Sequence, residues 1–419
     1  MYHASEEVAM KKALIIALMI VSVSFLFAEG GDGLYSGVTD FAFRPKTLDR
    51  GRDLNYSLFG NAAGLATGGF RVQMPYFESS SYNVVEALKD SGVAEALSGI
   101  TKLKFNKENW ITYLLGLVMA TGGGYNDVVS VDLGLGVQAG HLAVGFNTQM
   151  SVKSMPAIDE DGNLTEPGSA LGNGYVPEMD TALTVAYGFR ILDTDVLTLD
   201  AGAAIRYAQK VYMLQINTDQ ISDLINGSKD FESLAARSGF AIPIDLGVTL
   251  GLFGEKLQVE ATATNINGIY YMKNYANSKD AMTFSNGNEP YRMNTPFSLN
   301  LGVSFNLNLG VSFNPQFKVV NPTIGLYFDG INLYFRDSKD AEKRGLEIFR
   351  YLDANVGVSL FNILKLRASY RYGYPEFAVG ANAWGNLVEL SYGFHEAGSE
   401  YGLKPVDKLT VRFRLGFEK

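Results

Sequence analysis

The sequence predicts an all-β protein, a transmembrane antiparallel β-barrel of about 14 strands. Three observations carry that expectation. Strict two-residue alternation recurs along the chain. Tight and long connections take turns between the alternating stretches. An export segment opens the chain, and no later apolar run is long enough for a spanning helix.

The clearest alternation is LNLGVSFNLNLGVSFN, residues 299–314, one eight-residue word written twice. Odd positions are Leu, Val and Phe; even positions are Asn, Gly and Ser. Period two places these sets on opposite faces of a strand, and a helix would scatter them. The unit is even, so its repetition keeps every side chain on its own face. At ~3.3 Å per residue the stretch spans roughly 53 Å, enough to cross a bilayer when tilted. Asn306-Leu307-Asn308 is a poor tight turn, so one tall strand is favoured over a hairpin.

The same pattern fills residues 129–138, where Val129, Val131, Leu133, Leu135 and Val137 oppose Ser130, Asp132, Gly134, Gly136 and Gln138. It returns at 142–150, 183–190, 197–208, 242–250, 257–264, 352–360, 364–372, 377–383, 388–394 and 409–417, after a first strand FRVQMPYF at 70–77. Connections at 139–141, 192–195, 253–255, 361–362 and 384–386 are short, and those at 78–127, 151–180, 213–241, 267–295, 337–347 and 396–407 are long and polar. Sorting of this kind fits periplasmic turns and extracellular loops. A soluble sandwich has no reason for it. At 322–336 the parity slips at Asp329-Gly330. A bulge there leaves 14 strands; a hairpin there, with another at 306–308, makes 16. The apolar face would meet lipid and the small polar face would line a lumen.

Lys11-Lys12 and the apolar run ALIIALMIVSVSFLFA, residues 13–28, read as a secretory signal over 1–28, with Met10 an alternative start. No Cys follows it, so no lipoprotein anchor is expected. Residues 29–69 are rich in Gly and polar residues, and two readings stand: a hatch folded into the lumen, or a periplasmic tail. Residues 70–419 form the barrel, with a helical insertion at 82–120. There Val84, Val85, Leu88, Val93 and Leu97 keep helical spacing, and a second helix follows Asn109. Such a pair would cap the barrel mouth or merely pack as a loop.

Net charge of −9 argues against a nucleic-acid partner, and zero Cys removes disulfides, thiolate chemistry and Cys-based zinc. No nucleotide, hydrolase or metalloprotease motif is present, and His3, His141 and His395 are scattered. No enzyme, metal or cofactor is expected. Inward positions carry Asp132, Asp200, Asp245, Glu260, Asp353 and Glu389 against Arg190, Arg206, Lys365, Arg367, Arg371, Arg412 and Arg414. Arg367 with Arg371, and Arg412 with Arg414, share faces on the last strands. They would hold a ligand carboxylate bidentately, or pair with lumenal acids and fasten the plug. In the link 269–293, Tyr270, Tyr271 and Met272 offer an adaptable apolar surface for a greasy ligand, or an interfacial aromatic belt. The last strand, LTVRFRLGF, resembles the aromatic-ending signal read by the barrel assembly machinery, although Glu418-Lys419 follow the Phe.

GNAAGLATGGF, residues 60–70, resembles the motif that precedes the first strand in the FadL-type fatty-acid transporter superfamily of outer-membrane barrels. Asn61, Ala63, Gly64, Leu65 and Ala66 match it, and Ala62 stands where those proteins have Pro. Residues 366–402 resemble uncharacterised spirochaete-type and TraF-like members. The resemblance implies a fourteen-stranded barrel with an N-terminal hatch. It also implies uptake of hydrophobic compounds such as long-chain fatty acids across the bacterial outer membrane. Outer-membrane lipid and a hydrophobic small molecule are then the expected partners. A non-transporting scaffold for an envelope complex and a general porin are the alternatives.

Overall fold

The computed structural model describes residues 54–101, 107–120, 126–156, 173–213, 231–253, 257–288, 290–294, 298–305, 311–312, 323–336, 352–360, 363–371, 373–383, 386–396 and 405–418, with isolated positions between 216 and 228. The signal reading, the first part of the hatch and the Asn306–Asn308 turn lie outside these residues. Eighteen segments join one sheet: β1 Phe70–Tyr82, β2 Asn126–Ala139, β3 Leu142–Pro156, β4 Asn173–Asp193, β5 Leu197–Met213, β6 Ala236–Ala241, β7 Ile244–Leu252, β8 Leu257–Ile266, β9 Ile269–Tyr275, β10 Tyr291–Asn294, β11 Ser298–Phe305, β12 Val311–Ser312, β13 Thr323–Arg336, β14 Leu352–Leu360, β15 Leu364–Arg371, β16 Tyr374–Ala383, β17 Asn386–Glu396 and β18 Pro405–Glu418. β1 pairs antiparallel with both β2 and β18, so the sheet closes and exposes no edge. No helix among the described residues is long and apolar enough to cross a membrane.

Several segments are pieces of one stave. β6 and β7 both pair with β5, at its upper and lower halves. β8 and β9 repeat that division against β7 and β6. β10 and β11 pair with β9 and β8, and β11 and β12 both run antiparallel to β13. The described residues therefore make 14 staves. The Asp329-Gly330 parity slip is a bulge: β13 passes through it while its register against β14 shifts between Phe328 and Gly330. Of the repeat at 299–314, the described parts are β11, with Leu301 exposed outward and Gly302 buried inward, and Val311–Ser312 of β12.

Two neighbouring staves break at one level. Pro243 interrupts β6–β7 because it has no N–H for the ladder. Its carbonyl accepts from the Arg206 backbone N–H instead (3.0 Å). Asn265 and Asn267 turn β8–β9 with φ of 61° and 59°, a region Asn tolerates better than most residues.

The staves differ in height. β15 has 8 residues and β4 has 21. At about 45° tilt and ~3.3 Å per residue, these rise roughly 19 Å and 49 Å. The tall side outgrows any lipid band. There the outward parity no longer demands greasy side chains facing lipid, and the loops cover the wall. Val211 and Met213 continue the outward parity of Ile205 and Tyr207 but are buried. Several link boundaries read from polarity are corrected accordingly. β1 runs to Tyr82, β3 to Pro156, and β4 begins at Asn173, inside the expected loop 151–180. The 269–293 stretch is also not a long loop. It is β9, a helix Ser278–Thr283, and β10 paired back on β9. One outer connection, 372–373, is short, with Gly373 at φ 91°.

The helical insertion is three helices, Val84–Ala87, Ser91–Thr101 and Lys107–Ala120. The expected first helix splits because Asp90 caps a new one: its Oδ1 accepts from the N–H of Gly92 (2.7 Å) and Val93 (3.3 Å). Among the described residues, the insertion leans on the outer face of the wall. Leu409, of outward parity, packs with its buried cluster. Tyr113 bonds Ser81, and the outward Tyr175 hydroxyl donates to the Val118 carbonyl (3.2 Å). Burial pushes the Tyr113 phenol up, the Ser81 bond opposes this, and the Asp407 carboxylate adds to it.

Candidate functional site

Inside the barrel, a short plug crosses the lumen. A helix Leu54–Phe59 leads into a single 3₁₀ turn, Ala62–Leu65. Asn61 caps that turn: its Oδ1 accepts from the Ala63 N–H (3.1 Å). Its amide then donates to Thr249 Oγ1 (3.0 Å) and Glu260 Oε2 (3.1 Å) on the facing wall. One side chain thus closes the turn and ties it to β7 and β8. Leu54, Leu58, Phe59 and Leu65 are all buried, each worth about 2 kcal/mol when fully withdrawn from water.

The wall opposite is carved from glycine. Gly136 and Gly145 face each other across β2 and β3, and Leu58 Cδ1 occupies the place a side chain would take on either. Gly188, Gly202 and Gly247 lie in one register row across β4, β5 and β7. A Cβ on Gly202 would sit 2.2 Å from the Ala62 carbonyl carbon, and one on Gly247 2.0 Å from Asn61 Oδ1. These strands carry Gly on the lumenal face because plug backbone approaches within van der Waals contact. Of the residues read as a hatch motif, Asn61 is the tie and Leu65 an apolar foot. Ala63 and Ala66 are buried, and Gly64 lies against Ser57, where a Cβ would meet the hydroxyl at 2.7 Å. Asn61→Ala should loosen the plug by about 1–3 kcal/mol, since it removes the cap and leaves Glu260 without that donor. Hydrogen exchange of the Ala63 and Gly64 amides would rise while strand amides stay protected.

Above the plug the lumen has two sectors. On one, cross-strand charges alternate in register. Arg412 stands between Glu78 on β1 and Glu389 on β17, at 2.8 Å and 2.6 Å. Arg367 bridges Glu389 (2.5 Å) and Glu376 (3.4 Å), and Lys408 reaches Glu376 at 3.9 Å. Tyr76 donates to Glu78 (2.6 Å). The sequence could read these arginines either as a ligand clamp or as partners of lumenal acids. Arg367 and Arg412 stand with acids. Arg414 is buried one inward position below Arg412 on β18, and Arg371 ends β15 opposite Asp353 in register.

The other sector is apolar. Ala182, Ala208 and Ala241 form a register row across β4, β5 and β6. Above it the charged row ends at Asp180 and Lys210 (3.1 Å) and continues as Gly239, Met272 and Tyr291. Tyr270 and Met272 are buried inward beside Tyr212, while Tyr271 points outward and is exposed. The structure therefore separates the three residues read together as a capture surface: two belong to the lumen and one to the exterior. Tyr212 and Tyr291 hydroxyls meet at 3.2 Å. These tyrosines escaped the sequence reading because their partners lie on strands far apart in the chain. His141 lies at a short turn beside Gly68, and His395 lies against Asp127 at 3.3 Å and beside the Tyr82 ring. No group of three metal-ligating side chains occurs among the described residues.

The chain is similar in structure to FadL-type outer-membrane transporters, at low sequence identity. The Pseudomonas putida toluene transporter TodX matches at TM-score 0.38 and 12% identity, over 87% of this chain and 93% of that one. A Pseudomonas aeruginosa FadL homologue matches at TM-score 0.36 and 9% identity, over 90% and 95%. The translocator domain of the Neisseria meningitidis autotransporter NalP matches at TM-score 0.32 and 10% identity, over 83% and 88%. No family model and no curated protein matches by sequence.

Proposed function

We propose that this barrel sits in the bacterial outer membrane and admits hydrophobic compounds, long-chain fatty acids among them. The observation that carries the reading is the two-sector lumen above a latched plug. A water-filled porin has a polar interior. Here the Ala182–Ala208–Ala241 row, continued by Tyr270 and Met293 and with Met272 and Tyr291 above it, leads an apolar path down to Leu58 and Phe59 of the plug. An apolar solute gains by leaving water along this wall, whereas a hydrated ion meets a blocked floor. The neighbouring breaks at Pro243 and at Asn265–Asn267 adjoin the same sector and offer a way out through the wall. The motif around Asn61 supports the reading by resemblance. Arg367 and Arg412 already hold carboxylates of the chain, so a fatty-acid head group would compete with Glu389 for them.

The test is uptake of labelled oleate and of toluene by cells expressing the protein, beside ion conductance in planar bilayers. Saturable uptake with negligible conductance is expected. Steady ohmic conductance would make the protein a porin. Neither uptake nor conductance would leave a scaffold role and end the transport reading.

A further inference from the structure

We propose that the outward-facing pair Lys273 and Arg292 holds the phosphate of a membrane lipid, with an acyl chain of that lipid lying on the aromatic row Tyr207, Phe240 and Tyr271. The proposal needs only that the barrel is embedded in a membrane, and so stands apart from what the lumen carries. The other cations of the described strands take lumenal positions, where Arg206, Lys210, Arg367, Lys408 and Arg412 meet acids. Lys273 and Arg292 face the other way. Arg292 lies opposite Tyr271 in register, and Lys273 is the next outward residue on β9. Neither forms an ion pair among the described residues. The Arg292 guanidinium instead lies over the Tyr271 ring, 5.9 Å from its centroid.

Their level on the wall identifies the partner. Below them the outward face is bare and greasy: Tyr207, Ile205, Ile242 and Ile244 are 37–48% exposed. In the register row of Lys273 the outward Ser238 and Val211, and above it Ala236, Met213 and Tyr275, fall to 4% or less, sealed with the help of the Ser278–Thr283 helix. The lipid-facing band therefore ends at this row, the level where headgroups lie. Aromatic rings of Tyr207, Phe240 and Tyr271 stand 6.0 and 6.2 Å apart in sequence along it, with Phe284 edge-on above. Aromatic residues mark such interfaces, and two cations there, on a chain of net charge −9, meet lipid phosphate rather than bulk solvent. Arginine adds a fork that matches phosphate oxygens.

The experiment is native mass spectrometry of the detergent-purified full chain, offered equimolar dioleoyl phosphatidic acid and dioleoylglycerol. The folded protein should retain phosphatidic acid about tenfold over the matched neutral lipid. The Lys273→Gln/Arg292→Gln variant should lose that preference to within twofold, and Arg292→Lys should keep most of it. Should the double variant fail to fold, Arg292→Gln alone reads the same loss in part. Equal retention of both lipids by the parent, or an unchanged preference in the variant, would overturn the proposal. So would displacement of the lipid by inorganic phosphate at equal concentration, which would mark a simple anion site.

Discussion

Arg412→Met is expected to lower the unfolding free energy of the barrel by about 3–5 kcal/mol. The substitution keeps the apolar stem and deletes a guanidinium that is 4% exposed. Glu78 and Glu389 would then face the lumen wall without the cation between them. Two buried carboxylates left so close repel, and the lost partner costs more than the pair itself contributed. Denaturant titration of the detergent-solubilised barrel, followed by the shift between folded and unfolded forms on gels, gives the number. Adding Glu78→Gln to Arg412→Met should recover part of the loss, because Glu78 loses its Arg412 ion pair while Glu389 keeps Arg367. Arg190→Met supplies the contrast. Its side chain is 23% exposed and pairs with Asp200 near the rim at 2.7 Å, so a change below about 1 kcal/mol is expected. Equal losses at both positions would mean that the seam pair has no special weight.

The second large effect is expected at Gly202. Gly202→Val would place carbon into the Ala62 carbonyl, a backbone atom that cannot rotate aside. Overpacking of this kind costs about 1–3 kcal/mol, and the plug can escape it by leaving its seat. The strand itself accepts Val readily. The barrel should therefore stay folded while the plug detaches. The chain has no Cys, so Ser57→Cys provides a clean reporter at a position that is 0% exposed. Its labelling by a water-soluble maleimide should accelerate roughly tenfold or more in the Gly202→Val background, since each 1.4 kcal/mol is a factor of ten. Unchanged labelling would show that the plug and wall yield together, against the rigid seat described above.

Alternation made the staves legible wherever a strand has lipid on one side. The slip at Asp329-Gly330 follows from parity alone and agrees with the register shift of β13 against β14. What escaped are segments where the environment changes along a strand. Residues 173–181 look like loop because their outward face is covered by protein, which accepts polar and apolar side chains alike. Tyr270, Tyr271 and Met272 read as a loop because apolar and aromatic side chains stand on both faces there, and only the strand's period separates them into two compartments. The plug's place was foreshadowed by small residues on inward faces, but which glycine meets which backbone atom depends on register. So does the choice of acids by Arg367 and Arg412: both alternatives were visible in the sequence, and cross-strand neighbours decide between them.

The join between β1 and β18 brings together the two ends of the barrel's sequence. Glu78 and Arg412, 334 positions apart, can meet only when the last strand has arrived. Until then Glu78 remains an acid on an open edge, next to Asp132 in register. A chain that stops before residue 405 would carry every other stave yet keep that repulsion at a free margin. The seam therefore couples closure to charge: the relief of Glu78 by Arg412 arrives only with the last strand in place.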